Sequence, residues 1–375
     1  MSGAKVKQSL VQVTCSSGRR VSYEDAALFL SRCRARPERM RTLCSTKAAR
    51  QGGESLVVSV EVAPGGPEVE VREISMADGW TGCRFSPAAL WLALAIAKPE
   101  GFIAKARRPE LLDGTLPTAL ELGCGVALAG LAAHALCYHT TLTDCLPGHL
   151  RSLLQRVQAP PGETPASSAE TGSEGRCRSE AAAELRVRCL DWIEDVGQDA
   201  CQRGIDKGSP ENRATAGPEW ERLAPESLRS FDLVLASDVL YEEHHAMLLP
   251  LVLERWLRPG GCWAMSFAIR DEDMLCAFLT NLHAAGLLEE NSECMSWETS
   301  CLADRCNYCS KQQGTGRAVA GQGPSLAELQ EVVRGHEGGA ILLQGRRPSQ
   351  ERKCNATSES GYGATQESNQ RSLES

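Results

Sequence analysis

Three short runs in this chain combine residue types that suit a nucleoside-like ligand and a reactive group. The first is Leu120–Gly130, LELGCGVALAG, where an apolar run passes through Gly123-Cys124-Gly125 into a helix-forming stretch. Glycines there let the backbone turn tightly and come close to a ligand. The helix start beyond them offers unpaired amides and the positive end of a dipole. The second is Asp144, about 20 residues further on at the end of the next apolar run, where a carboxylate is placed to accept hydrogen bonds from two ribose hydroxyls. The third is Phe231–Tyr241, FDLVLASDVLY. Its strand is apolar on both faces and delivers Asp238 at the carboxyl end, with Tyr241 three residues on. Open α/β sheets bind their ligands outside such strand ends.

A scaffold must position these runs, and from Ser86 onward helix and strand patterns alternate. Helices are predicted over Ser86–Ala97, from the glycine loop to Leu136, and over Pro147–Val157, Glu243–Trp256 and Asp271–Ala285. Strands are predicted over Leu116–Leu122, Thr140–Thr143, Leu185–Cys189, Phe231–Ala236, Cys262–Ile269, Leu287–Trp297 and Ala340–Gly345. Alternation of this kind means an α/β, Rossmann-like doubly wound sheet, here of seven strands. It forms one domain over residues 79–346. Residues 1–78 read as an N-terminal region, with a helix over Ser22–Cys33 and a hairpin of Ser55–Val62 and Glu68–Ile74 around Pro64-Gly65-Gly66-Pro67. Polar stretches near 159–183, 197–227 and 301–339 read as disordered insertions, and 347–375 as a disordered tail.

Composition narrows the function classes. The formal net charge is -8, which argues against a nucleic-acid partner, since that needs a basic face. The first 27 residues lack the apolar core of a leader, and the longest apolar run falls short of the roughly 20 residues that span a bilayer. A soluble, cytoplasmic, monomeric protein without membrane partners is expected. The 17 cysteines are scattered without a disulfide framework. Cys301, Cys306 and Cys309 show a spacing reminiscent of iron–sulfur ligation, but they lie in an insertion without an obvious fourth ligand, and no metal site is assigned. His244 and His245 are assigned to the surface at a helix start.

The glycine loop does not by itself separate a dinucleotide from S-adenosylmethionine. The third glycine of a dinucleotide fingerprint would stand at Leu128 and is missing, which leans towards the methyl donor, a ligand with no pyrophosphate to cradle. The order of motifs, with Leu190-Asp191-Trp192 after the third strand, Asp238-Val239-Leu240-Tyr241 after the fourth and Arg258-Pro259-Gly260-Gly261 before the fifth, resembles a particular family. It is that of the seven-strand (class I) S-adenosylmethionine-dependent methyltransferases that modify lysine in non-histone proteins, the methyltransferase-16-like group. The resemblance covers residues 79–346 between the insertions. It implies that the last strand is antiparallel and that S-adenosyl-L-methionine is the cofactor. It further implies that Glu121, Gly123 and Gly125 hold the methionine part, Asp144 the ribose, and Asp191 and Trp192 the adenine, with Ser237 among the cofactor residues. Asp238 and Tyr241, the catalytic candidates, would shape the channel for a substrate amine. Ala95–Phe102 and Ser266–Leu287 look most like the lysine methyltransferases of translation elongation factor 2, so the implied partner is a protein substrate of that kind.

The chain departs from the family in three places. Val126-Ala127 stands where Thr-Gly is usual and puts a Cβ beside the cofactor path. The upstream T-G-x-x-x-W element begins at Thr81-Gly82 but has Ser86 in place of its Trp, with Phe85 adjacent. The Asn usual after the second strand's helix is absent near Gln155–Gln158. Methylation of a planar base amine goes with prolines after the fourth strand, and Ser237–Tyr241 has none. A non-catalytic cofactor-binding scaffold and a non-protein acceptor are the alternatives.

Overall fold

A computed structural model describes residues 11–15, 20–23, 56–62, 67–74, 82–98, 101–106, 115–158, 183–196, 220–288, 295–300, 325–336 and 339–349. The strands in chain order are β1 (Val11–Cys15), β2 (Arg20–Tyr23), β3 (Leu56–Glu61), β4 (Glu68–Arg72), β5 (Thr118–Leu122), β6 (His139–Asp144), β7 (Leu185–Cys189), β8 (Phe231–Ser237), β9 (Leu257–Ala268), β10 (Met295–Ser300) and β11 (Ala340–Arg346). The helices are α1 (Pro87–Ala97), α2 (Phe102–Ala106), α3 (Leu128–Ala135), α4 (Pro147–Gln158), α5 (His245–Trp256), α6 (Glu272–Ala284) and α7 (Leu326–Gly335).

The main sheet has seven strands in the order β10-β11-β9-β8-β5-β6-β7. β7, β6, β5, β8 and β9 pair in parallel. The last strand, β11, slots between β9 and β10 and is antiparallel to both, as expected. The order reverses beside β5, so the carboxyl ends of β5 and its neighbours open a crevice there, the usual place for a ligand in an open α/β sheet. Both faces are covered, and the period of two explains how. On one face Leu120, Leu122, Val234, Ala236, Trp263, Met265 and Phe267 meet α5, α6 and α7. On the other Ala119, Leu233, Leu235 and Ala264 meet α1, α2 and α3. A strand with two covered faces reads as a continuous apolar run, which is why Phe231–Ser237 was legible.

A second sheet, β2-β1-β3-β4, precedes the main one. Its β3–β4 hairpin forms as expected. Val60, Val62, Val69 and Val71 share one buried cluster with Phe85, Ala89 and Leu90 of the α1 region and with Leu128 and Ala132 of α3. The hairpin therefore roofs α1 and α3.

Several boundaries differ from expectation. Ser22 and Tyr23, placed in a helix, belong to β2; the rest of that segment lies outside the described residues. β9 begins five residues early, at Leu257, because Gly260 donates its N–H to Arg347 at 3.0 Å and the register shifts between Phe231 and Leu233. β10 covers Met295–Ser300, whereas Leu287 and Leu288 are buried without joining the sheet. The stretch 301–339 holds a real element. Ser325 and Glu328 form a capping box that starts α7, and Leu329, Val332 and Val333 bury its apolar stripe. Trp220 packs beside β7, and Cys189 bridges to Arg222, so the end of the second insertion is attached to the sheet. The remainder of the three insertions, Cys301, Cys306 and Cys309, Thr81 and residues 350–375 lie outside the described residues. Among the described residues no helix is long and apolar enough to cross a membrane.

Candidate functional site

The glycine loop joins β5 to α3 through alternate left-handed residues: Gly123 at φ +58°, Gly125 at +50° and Ala127 at +62°. Only Gly adopts this region without steric cost, and an L-residue gives up about 1–2 kcal/mol. The loop is pinned by the Cys124 N–H on the Thr143 carbonyl at 2.8 Å. The glycine at 125 serves the chain's own packing. A Cβ there would lie 2.5 Å from the Gly82 carbonyl oxygen. The segment 82–86, which leads into α1, thus runs tight across the loop.

Asp144 stands at the end of β6, next to the loop, and is buried. Its Oδ2 accepts the Gly125 N–H at 3.0 Å and the His149 Nδ1 at 3.0 Å, and its Oδ1 accepts the Leu146 N–H at 2.9 Å. A carboxylate has about four lone-pair sites, so one position on Oδ1 remains for a ribose hydroxyl. His149, in the first turn of α4, escaped the sequence reading; its ring is buried and it fixes the Asp144 carboxylate.

Glu121 is the second buried acid. It faces α3 from β5, and its Oε2 accepts the Gly130 N–H at 2.9 Å. Its Oε1 is buried with no hydrogen-bond partner. Burial first, and then the charge of Asp144, push its pKa up to about 8, against the pull of the Gly130 amide. A buried carboxyl oxygen without a partner beside a ligand-type loop fits a group that brings a positive charge.

Trp192 and Asp191 follow β7. Trp192 is part-buried and approaches the loop, where a Cβ on Gly123 would stand 3.5 Å from its ring. Asp191 Oδ1 accepts the N–H of Ile193 at 2.9 Å and of Glu194 at 3.3 Å, so it caps the helical turn that carries Trp192. Ser237 ends β8 opposite Ser266.

Asp238 follows directly, at φ +55° and 5% exposed. Its Oδ2 accepts Ser86 Oγ–H at 3.0 Å and Arg270 Nη2–H at 2.6 Å, and its Oδ1 accepts the Ala268 N–H at 3.4 Å. Ser86 also caps α1. Its hydroxyl thus serves both the helix start and the acid. Arg270 lies within the segment Ser266–Leu287 but was given no role of its own in the sequence reading, because a lone Arg beyond a strand carries no local signal. Tyr241 is exposed, with Arg270 lying 5.9 Å from the centre of its ring. Although the residue as a whole is exposed, desolvation of its hydroxyl by the surrounding protein and then the Asp238 charge push the Tyr241 phenol up to about 12, so it stays protonated.

His244 and His245, assigned to the surface, are part-buried instead. The Tyr241 N–H donates to His245 Nδ1 at 3.3 Å, and the His245 ring meets Trp192 edge-on at 5.5 Å. Burial and then His244 lower the His245 pKa to about 4, so the ring is neutral near pH 7. It buttresses the turn that carries Tyr241.

The structure brings the glycine loop, Glu121, Asp144, Trp192, Asp238 and Tyr241 to the carboxyl ends of β5, β6, β7 and β8. A separate cleft of about 480 Å³ opens at the opposite ends of β5–β7, lined among others by Thr118, His139, Arg186 and Glu221. Its arginines are paired with Glu184 and Glu221, and it lies away from the strand ends where this fold binds ligands.

No family model matches this chain, and no characterised relative is found by sequence. Among solved structures it is similar to fibrillarin of Aeropyrum pernix in complex with S-adenosyl-L-methionine, at 14% identity over 77% of this chain and 93% of that one, with a TM-score of 0.34. It is similar to the [4+2]-cyclase SpnF at 15% identity over 64% and 77%, TM-score 0.31. It is also similar to geranyl diphosphate methyltransferase at 9% identity over 62% and 78%, TM-score 0.32. Likeness at this level leaves the functional reading to the residues themselves.

Proposed function

We propose that this chain is an S-adenosylmethionine-dependent methyltransferase acting on a protein side chain, with lysine as the acceptor and a translation elongation factor as the candidate substrate. One observation carries the donor half. A left-handed glycine loop, a buried acid tied to that loop and a second buried acid with an unpaired oxygen meet at adjacent strand ends. A ligand with an ammonium group and a ribose diol suits that set, and a dinucleotide suits it less, because Leu128 occupies the third glycine position.

When bound, the donor supplies a methyl group already activated on a sulfonium. The protein's work is then alignment and exclusion of water, and orientation alone supplies several kcal/mol of barrier lowering. Asp144 would hold the ribose through the free position on Oδ1. Glu121 would accept the ammonium at Oε1, losing its proton as the cation arrives. Trp192, supported by the turn that Asp191 caps and by His245, would flank the adenine. On the acceptor side an amine must arrive deprotonated, and desolvation favours the neutral amine. Support for lysine comes from the resemblance of Asp238-Val239-Leu240-Tyr241 and of the two segments named above.

The test has two parts. Calorimetry should detect S-adenosylmethionine binding to the full chain. Incubation with labelled donor and a cell lysate should then label a protein band whose modified residue is lysine. Absence of binding removes the donor assignment; label on RNA or on a small molecule removes the acceptor assignment.

A further inference from the structure

The acceptor side of the site offers a cation to solvent. The Asp238 carboxylate is buried and engaged by donors from Ser86, Ala268 and Arg270. The Arg270 side chain is 56% exposed against 7% for its partner. It projects two residues beyond β9, and the Tyr241 ring, 43% exposed, lies 5.9 Å away. A guanidinium has five N–H donors in a fixed plane. The bond from Nη2 to Asp238 and the interaction with the Tyr241 hydroxyl anchor that plane, and exposure leaves its remaining donors to face an incoming molecule. A fork held in this way has less side-chain freedom to lose on binding, and its geometry matches a carboxylate. An ammonium group approaching the same place meets an acid already hydrogen-bonded and the like charge of Arg270.

We propose that Arg270 is a specificity-determining residue that binds a carboxylate on the acceptor molecule, close to the atom that receives the methyl group. This rests on the methyltransferase reading of the site and names the substrate class: acceptor lysines flanked by an acidic residue. Asp238 is then a positioning residue that acts through Arg270, and Tyr241 borders the guanidinium.

The experiment uses the full chain, tritiated S-adenosylmethionine and lysine-centred peptide pools whose flanking positions carry either Glu or Gln. Donor binding is measured in parallel by calorimetry. The wild type should label the Glu pool over the Gln pool by about tenfold or more, the scale of one charge-assisted hydrogen bond. Arg270→Gln should bring that ratio to about one by raising KM for the Glu pool, while Arg270→Lys, which keeps the charge but loses the fork, should retain part of it. Equal labelling of the two pools by the wild type overturns the proposal, as does a Glu preference that survives in Arg270→Gln. Donor binding with no labelled pool overturns the acidic-peptide class alone. Failure of the wild type to bind the donor overturns the methyltransferase reading and the proposal with it.

Discussion

Asp238 and Arg270 stand 32 residues apart in sequence and 2.6 Å apart at Oδ2 and Nη2, which places an arginine against the acid expected to orient the substrate. Asp238→Asn is the clean probe of that pair, because Asn tolerates the left-handed backbone that residue 238 adopts. The variant should stay folded and bind the donor with wild-type affinity, yet lose about tenfold or more in methyl transfer. Tyr241→Phe should act more mildly, since the ring stays beside Arg270 and only the hydroxyl is lost. Calorimetry set beside a labelled-methyl assay separates the two ends of the site. A parallel fall in binding and turnover for Asp238→Asn would assign Asp238 to the donor pocket.

Asp144 has a double task, and its removal should show twice. Asp144→Ala strips the acceptor from the N–H groups of Gly125 and Leu146 and from His149, and each buried group left unpaired costs about 1–3 kcal/mol. The melting temperature should fall, and donor binding should weaken by a further 1.5–3 kcal/mol or so, the scale of a charge-assisted hydrogen bond. Thermal denaturation without ligand isolates the first effect. If that transition is unchanged, the hydrogen bonds to Asp144 contribute nothing to the fold.

Glu121 gives the site a pH signature. Its pKa is raised from 4.5 to about 8 in the folded chain, so between those values the native state holds a proton that the unfolded state has released. Stability of the ligand-free protein should therefore decline as pH rises through that window and level off above it. Glu121→Gln should abolish the decline. Donor binding near pH 7 should release a proton, detectable as a dependence of the calorimetric heat on buffer ionisation. A variant that keeps the same pH slope as the wild type would remove Glu121 as its source.

Helix α7 should prove indispensable. Leu329 is 0% exposed, and truncating such a residue typically costs about 2–5 kcal/mol. Leu329→Ala measured by urea denaturation should show a loss on that scale; a loss below about 0.5 kcal/mol, the usual range for surface positions, would return 326–335 to the status of a dispensable insert.

What was legible in the chain follows from where the determining interactions lie. β5, β6 and β8 carry their apolar pattern locally, and the glycine loop declares itself by residue type. α7 was missed, because the polar composition around it hid the Ser325-x-x-Glu328 signal and the stripe of Leu329, Val332 and Val333. The early start of β9 depends on Arg347, nearly ninety residues away, and no local pattern carries that. The same holds for the acceptor side. Arg270 and Ser86 reach Asp238 only because β8, β9 and the start of α1 end at one place. The glycines at 123 and 125 were expected to clear room for a ligand; at 125 the tighter neighbour is the chain's own segment at Gly82.

That segment has a mechanical consequence. Residues 82–86 lie on the glycine loop at one end, through Gly82 and Gly125, and on Asp238 at the other, through Ser86. In between they are sewn to the strand leaving the hairpin, by Ile74 N–H to the Cys83 carbonyl at 2.9 Å and Phe85 N–H to Glu73 at 3.1 Å. Five residues therefore act as a tie-rod across the crevice, with the small N-terminal sheet as its anchorage. One short run of backbone thus fixes the distance between the glycine loop and the Asp238 carboxylate, and both ends of the crevice take their position from the same five residues.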